Sequence, residues 1–246
     1  MLMKCMGSSS SGNGYALIVN DGILLIECGV PGKEMLRAID YQTSKVSGCL
    51  LSHVHGDHAN YIKDYMKYGI EVYCSDEVSS EVYTVYGEKT RQMQRMRQYQ
   101  VGDFNVIAFS VPHNGTECDG FFIEHDEIGR MLFITDAEYC PYNFSKMGIN
   151  HAMIECNYSK DYLTKDLENY GHVISGHMEL ETCKRLIQTI NTPMLRSVGL
   201  MHLSAGNGNP ERFRKEVIEL LDVDVEVYVA EKYLEKELWL EPFLRC

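Results

Sequence analysis

The segment HVHGDH, His53 to His58, decides the interpretation of this sequence. It follows the apolar run GCLLS and therefore begins where a predicted buried strand ends. In extended geometry His53, His55 and Asp57 project to the same side of the chain, and Gly56 permits a tight turn before His58. A lone histidine is more often structural, but four donors within six residues predict a metal site.

Three more donors follow apolar runs elsewhere in the chain. His113 comes after VIAFSVP, Asp136 after RMLFIT and His202 after LRSVGLM. Strand ends on one side of a packed scaffold can bring residues from distant segments together. Five histidines and two aspartates are too many for one tetrahedral zinc and suit two adjacent ions. Imidazole and carboxylate ligands are typical of zinc or manganese, and iron also fits.

The order of apolar and polar segments predicts the fold class. Short strands in LMKCM, YALIVN and ILLIE are split by turns, which indicates an antiparallel start, and helices and strands then alternate. We expect a mainly helical segment from Asp76 to Gln98, an amphipathic helix from Glu179 to Asn191, and another helix beginning at Pro210. The pattern predicts an α/β protein, an αββα sandwich of two mixed β-sheets with helices outside, in a single domain over residues 1–246.

Composition limits the partners and the compartment. The net charge is -12, so no global basic field attracts nucleic acid, and any polyanion would need a local basic patch. The chain has no continuous apolar run of about 18 residues, which predicts no membrane span. Nine cysteines occur without a C-x-x-C pair, which argues against a zinc ribbon or a disulfide framework and favours the cytoplasm. The oligomeric state is not predicted.

The HxHxDH motif with later His, Asp and His residues resembles the metallo-β-lactamase superfamily. Further segments resemble its YycJ/WalJ branch, which is related to the RNase Z nucleases, in a series that runs from Gly7 to about Glu211: GSSSSGNGY, LLIECG, LLSHVHGDH, VPHNGTECDGF, FITDAEY, IECNYSKDYL, SGHMELE and HLSAGNGNPE. The resemblance implies metal-dependent phosphodiester hydrolysis, with a DNA exonuclease as the expected activity and DNA favoured over RNA as the partner.

The resemblance also implies a ligand set for two divalent ions. His53, His55 and His113 would hold one ion, Asp57, His58 and His202 the other, and Asp136 would bridge them. A water shared by two cations about 3.5–4 Å apart has a lowered pKa and attacks as hydroxide at neutral pH. Asp57 would orient this water or receive its proton.

His177, in SGHMELE, is an additional histidine beyond the ligand set. The resemblance places it near the leaving oxygen, where it would donate a proton or stabilise phosphate charge. The alternative is a structural histidine just before a helix.

Candidate substrate contacts lie in two other segments. Ser9 and Asn13, in the loop from Ser8 to Gly14, are expected at the rim of the site, where exposed backbone N–H groups cradle phosphate. Arg91 and Arg95 share one face at helical spacing and would follow a phosphate backbone. A solvated helix face explains the same two arginines equally well.

Two other functions remain open at this point. Hydrolysis of a small ester, lactone or small phosphodiester fits the ligand set and the acidity of the chain. A regulatory protein that keeps metals only for stability is the third hypothesis, against which the complete bridging set argues.

Overall fold

Two seven-stranded β-sheets lie face to face in the computed structural model, which describes residues 1–163 and 170–240. The strands in this part of the chain are β1 (Leu2–Ser9), β2 (Gly12–Ile18), β3 (Ile23–Ile26), β4 (Val46–Leu50), β5 (Val72–Ser75), β6 (Arg91–Met93), β7 (Gln98–Val101), β8 (Phe104–His113), β9 (Thr116–His125), β10 (Gly129–Ile134), β11 (His151–Glu155), β12 (Ser197–Met201), β13 (Glu226–Val229) and β14 (Glu235–Glu237). The strand order is β14-β1-β2-β3-β4-β5-β6 in the first sheet and β13-β12-β11-β10-β9-β8-β7 in the second.

Both sheets are mixed. Antiparallel pairs join β14, β1, β2 and β3 in the first sheet, and parallel pairs continue from β3 to β6. The second sheet is antiparallel from β7 to β10 and parallel from β10 to β13.

Helices cover the outer faces of the two sheets. The helices are α1 (Gly32–Ala38), α2 (Gly56–Ala59), α3 (Ile62–Lys67), α4 (Asp76–Tyr86), α5 (Tyr170–Gly176), α6 (Leu180–Ile190) and α7 (Pro210–Ile218), with a short 3₁₀ turn at Thr43–Lys45. The predicted αββα class is therefore confirmed. In the described residues no helix is long and apolar enough to cross a membrane.

Alternation along the strands builds the core in layers. In β3, Leu24 and Ile26 point between the sheets, where they join a cluster that contains Phe121 and Phe133. Ile23 and Leu25 point to the opposite face, in the cluster that includes residues of α1, α3 and α4. Because both faces of this strand are buried, its sequence is a continuous apolar run.

The predicted helical segment from Asp76 to Gln98 is wrong beyond Tyr86. Gly87, in the left-handed conformation at φ 73°, ends α4. Residues Arg91–Met93 then form β6, which pairs in parallel with β5. Pairing with β5 determines this local structure. The spacing of the arginines in the sequence does not reveal that pairing.

The carboxyl ends of the central parallel strands of both sheets meet at one end of the sandwich. The segments that follow β4, β10 and β12 begin there and carry His53, Asp136 and His202. The topology thus brings together three residues that are far apart in the sequence.

Candidate metal centre

All seven predicted metal ligands meet at this end of the sandwich. Among the described residues, three overlapping groups of side chains offer ligand atoms that lie within 4.8 Å of one another, and the third consists of Asp136, Glu155, His177 and His202. The other two contain the predicted ligands: His53, His55, His113 and Asp136 in one group, and Asp57, His58, Asp136 and His202 in the other. We call these groups the first and the second pocket. They coincide with the two ligand sets that the sequence resemblance implies.

Asp136 belongs to both pockets because its two carboxylate oxygens face different sides. Oδ2 lies 3.8 Å from His53 Nε2 and 3.7 Å from His113 Nε2, in the first pocket. Oδ1 lies 3.3 Å from His58 Nε2 and 3.2 Å from His202 Nδ1, in the second pocket. This geometry is that of a bridging carboxylate.

Oxygen atoms outside the predicted ligand set lie near Nδ1 of four histidines, which leaves Nε2 as the donor atom, although His202 Nδ1 also lies 3.2 Å from Asp136 Oδ1. In His53, His113 and His202 this contact is a hydrogen bond that orients the ring. In His58 it is a longer contact without a hydrogen bond. The contacts are His53 with Ser52 Oγ at 2.9 Å, His58 with Glu27 Oε2 at 3.4 Å, His113 with the Gly176 carbonyl at 2.6 Å, and His202 with Glu155 Oε1 at 3.0 Å.

His55 is turned the other way. Its Nδ1 lies 3.0 Å from His113 Nε2, among the donor atoms of the first pocket. Its Nε2 lies 3.4 Å from Thr116 Oγ1. His55 therefore presents Nδ1 to the pocket.

Two buried ring nitrogens without hydrogen-bond partners among the described residues indicate that these residues can bind a cation. His53 Nε2 and His202 Nε2 have no hydrogen-bond partner within the described part of the chain, although both side chains are almost fully buried. Buried polar atoms normally have partners, and a divalent ion in each pocket would supply one. Nitrogen and carboxylate donors without cysteine suit hard or borderline cations, so the residues fit divalent metal ions.

Unusual backbone conformations aim three side chains into the site. Glu27, Asp136 and His202 have φ angles of 70°, 47° and 54°, in the left-handed region that residues other than glycine rarely adopt. Each follows within two residues of the end of β3, β10 or β12. Such strain persists only where surrounding structure holds it, and it is typical of functional sites.

Opposite charges perturb the ionisation of the second pocket strongly. Burial alone would raise the pKa of Asp136, but His202 and His58 hold that pKa well below its usual range. Burial alone would lower the pKa of His202, but Asp136, Asp57 and Glu155 raise it to about 10. A cation in this pocket would compete with a proton for His202.

Glu155, at the end of β11, is a buried residue of the site that sequence reasoning missed. Its Oε1 accepts a hydrogen bond of 2.8 Å from His177 Nδ1, and its Oε2 accepts from the backbone N–H groups of Ala137 and Met178. Despite burial, His177 lowers the pKa of Glu155. A single carboxylate after the apolar run HAMI is the same strand-end signal that identified Asp136.

His177 lies beside the metal ligands, as predicted. Its Nδ1 is 4.0 Å from Asp136 Oδ2, and its side chain is 12% exposed. Burial lowers the pKa of His177, but Glu155 and Asp136 outweigh burial and raise it. The ring can thus carry a proton at the mouth of the two pockets.

The two predicted rim residues differ in position. Ser9 is half-buried and lines a cavity of about 390 Å³ beside the second pocket. Asn13 does not lie at the rim: it is fully buried, because its carboxamide packs against Asp57 and His58. The expected exposed position of Asn13 is therefore wrong.

The predicted arginine pair has a different environment from the one expected. Arg91 lies in β6, and its Nε donates a 2.9 Å hydrogen bond to Glu71. Arg95 donates to Asp119 at 2.7 Å and to Glu117 at 2.8 Å. The helical face on which the phosphate-binding prediction rested does not exist, and carboxylates compete with phosphate for both guanidinium groups.

A family model described as the beta-lactamase superfamily domain matches residues 24–202. The chain belongs to the metallo-β-lactamase superfamily. The matched residues include all seven donors of the two pockets as well as Glu155 and His177. Membership of this superfamily and the histidine and aspartate cluster together support a metal-dependent hydrolase that binds divalent ions.

Three similar proteins come from this superfamily or share its fold. The exodeoxyribonuclease YycJ of Bacillus anthracis is 23% identical over 232 residues, which cover 88% of each protein. The metallo-β-lactamase fold protein YhfI of Bacillus subtilis matches with a TM-score of 0.73 at 19% identity, over 96% of this chain and 99% of YhfI. The short form of human tRNase Z matches with a TM-score of 0.67 at 14% identity, over 97% and 99% of the two chains. The two structural matches establish the fold.

Proposed function

We propose that this protein is a metal-dependent phosphodiester hydrolase, and specifically a DNA exonuclease. The observation that carries the proposal is the pair of donor pockets joined by Asp136, with the protonatable His177 beside them. The similar protein from Bacillus anthracis that is named an exodeoxyribonuclease supports DNA as the substrate. We also propose that residues 1–246 act as one domain in the cytoplasm, in keeping with the free thiols of the eight cysteines in the described residues.

The proposed ligand set assigns each pocket one divalent ion, zinc or manganese, with iron also compatible. His53, His55 and His113 would hold the first ion, Asp57, His58 and His202 would hold the second, and Asp136 would contribute to both pockets. When bound, two such ions would lower the pKa of water and stabilise charge on the scissile phosphate.

Two side chains then have distinct proton-handling roles. Asp57, at 20% side-chain exposure, faces the mouth of the second pocket, where it orients the attacking water or takes its proton. His177 donates a proton to the leaving oxygen through Nε2, because Glu155 accepts from Nδ1 and fixes the ring orientation. Glu155 acts through His177 and is therefore a positioning residue.

The cavity of about 390 Å³ offers room for part of a substrate beside the second pocket. Ser8 and Leu203 form part of its wall. Ser8 Oγ accepts a 2.9 Å hydrogen bond from the backbone N–H of His202, and Leu203 follows His202 in the chain. Ser9 and Lys232 line the same cavity. A nucleotide in this cavity would meet a hydroxyl group and a cation, which are suitable partners for phosphate.

The proposal is tested with purified protein loaded with zinc or manganese. End-labelled DNA and RNA oligonucleotides, a small phosphodiester, an ester and a lactone are compared as substrates. We expect stepwise shortening of DNA from one end and no cleavage by Asp136→Ala, which should also release metal. Activity confined to the ester or lactone would overturn the nuclease assignment, and metal binding without hydrolysis of any substrate would favour the regulatory hypothesis.

A second candidate is hydrolysis of a small phosphodiester, ester or lactone. The net charge of -12 favours it, as does the pairing of Arg91 and Arg95 with carboxylates, because neither feature attracts a long polyanion. The ionic-strength dependence of kcat/KM separates the two candidates. A DNA enzyme loses kcat/KM steeply as salt rises, whereas an enzyme for a neutral small substrate does not.

A further inference from the structure

Asn13, at the start of β2, is a fully buried polar residue in contact with two ligands of the second pocket. Its Nδ2 lies 3.2 Å from Asp57 Oδ2 and 2.9 Å from His58 Nε2. These two atoms are the donor atoms that Asp57 and His58 present to the pocket. Asn13 therefore touches both ligands on the side where an ion would bind.

The neighbours of the carboxamide fix its orientation. The same Asn13 nitrogen lies 3.1 Å from the Ser9 carbonyl oxygen and 3.3 Å from the Asp57 carbonyl oxygen. Together with the Asp57 carboxylate, three oxygens that only accept hydrogen bonds surround this atom, so it is the amide nitrogen. Asn13 thus donates a hydrogen bond to the Asp57 carboxylate.

The backbone holds Asn13 and Asp57 at a fixed separation. Gly29 lies between them, and its N–H donates a 2.9 Å hydrogen bond to the Asn13 carbonyl. A Cβ atom at Gly29 would lie 1.7 Å from the Asp57 carbonyl oxygen and 2.7 Å from the Asn13 backbone nitrogen. Only glycine permits this approach, so the contact between Asn13 and Asp57 is a property of the main-chain packing.

We propose that Asn13 is a positioning residue that holds Asp57 ready for the second metal ion. A ligand held in one orientation before the ion arrives loses less freedom on binding, which raises the affinity of its pocket. The first pocket has no contact with Asn13 among the hydrogen bonds of the described residues, so its affinity should not depend on this residue. The inference rests on the proposed function, because it takes the Asp57, His58 and His202 group as a metal pocket.

The test is a calorimetric titration of metal-free protein with Zn²⁺ and, separately, with Mn²⁺, combined with metal analysis. We expect the parent protein to bind two ions, and Asn13→Ala to bind the ion of the second pocket about 10 to 100-fold more weakly, with the other binding step unchanged. Asn150→Ala is the matched control. Asn150 is also a buried asparagine, but its Nδ2 donates to the Met194 carbonyl at the opposite end of β11, so both binding steps should be unchanged.

A second measurement uses only the parent protein and therefore does not depend on the folding of a variant. The side-chain amide resonances of Asn13 in the ¹⁵N-labelled parent protein should move with one binding step, the one that Asn13→Ala weakens, and not with the other step. Parental affinities in Asn13→Ala, or an Asn13 signal that moves with neither equivalent of Zn²⁺, would overturn this assignment alone. A parent protein that binds no ion would overturn the proposed function together with it.

Discussion

The Nδ1–H of His113 donates a 2.6 Å hydrogen bond to the carbonyl of Gly176. Gly176 precedes His177, so one peptide unit joins a ligand of the first pocket to the proposed proton donor. A neighbouring contact strengthens this link, because Ser175 Oγ lies 2.9 Å from Asn114 Oδ1, next to His113. Hydrogen bonds therefore connect the end of α5 to the turn after β8.

Ser175→Ala tests this link between α5 and the turn. Loss of this hydrogen bond costs about 1 kcal/mol. If that energy holds His177 in place, kcat/KM should decrease about fivefold while the metal content stays unchanged. Ser80→Ala is the control, because Ser80 makes a similar bond to the carbonyl four residues earlier in α4 and lies outside the site. Equal kinetics in the two variants would mean that the contact plays no part in catalysis.

His177→Ala should remove the proton donor. We expect kcat to fall by about 100 to 10,000-fold, while circular dichroism and metal analysis match the parent protein. Glu155→Gln keeps the shape of the side chain but removes its charge, so it should lower the pKa of His177. The alkaline limb of the kcat–pH profile should therefore move to lower pH. His125→Ala is the control histidine, since it stacks on Phe104 at the far end of β9. Parental kcat in His177→Ala would refute the assigned role.

The raised pKa of His202 predicts opposite responses to pH in the two metal states. Without metal, the folded-state pKa of about 10 exceeds the ordinary value of 6.5, so the His202 proton stabilises the fold fully below about pH 6.5. This stabilisation is lost as pH rises through about 10. With metal bound, the ion takes the place of the proton, and metal affinity falls as pH decreases.

Thermal denaturation of both states between about pH 7 and about pH 9.5 measures this difference. The stabilisation by added Zn²⁺ should grow over this interval, because the metal-free protein weakens and a proton on His202 competes less with the metal as pH approaches about 10. Groups outside the site titrate alike in both states and cancel in the comparison. A metal-induced increase in Tm that stays constant with pH would contradict the proposed exchange of ion and proton.

Arg95 and Arg91 should differ sharply in their effect on stability. Arg95→Ala leaves the fully buried Asp119 carboxylate without its cationic partner and with the Ser75 N–H as a remaining donor, which should cost about 3 kcal/mol in unfolding free energy. Arg91→Ala removes a pair whose side chains are 64% and 46% exposed, and such pairs contribute little. Urea denaturation measures both variants, and equal midpoints would show that the Asp119 pair is not stabilising.

The sequence predicted which side chains meet in the two pockets, because these residues carry local signals. His53, His55, Asp57 and His58 occur in one motif, and Asp136 follows an apolar strand in a way that is visible without a structure. The two-sheet architecture was predictable for the same reason, since alternation and apolar runs are properties of single segments.

The errors arose where distant segments decide the structure. β6 is a strand because β5 lies beside it, and Arg95 pairs with Asp119, which is 24 positions later in the chain. Asn13 is buried because Gly29 and Asp57 close over it, whereas loop composition indicated a position at the rim of the site. Spacing within one segment contains no information about such partners.

The last two strands have a consequence for the behaviour of the protein in solution. β13 pairs with β12 in one sheet, and β14 pairs with β1 in the other, so the stretch from Glu226 to Glu237 covers one margin of each sheet. Without it, both sheets would present unpaired N–H and C=O groups to other molecules, which promotes aggregation. β14 itself consists of Glu235, Lys236 and Glu237, and its short, charged sequence disfavours pairing with another chain. This stretch lies outside the two pockets, and we expect its removal to promote self-association.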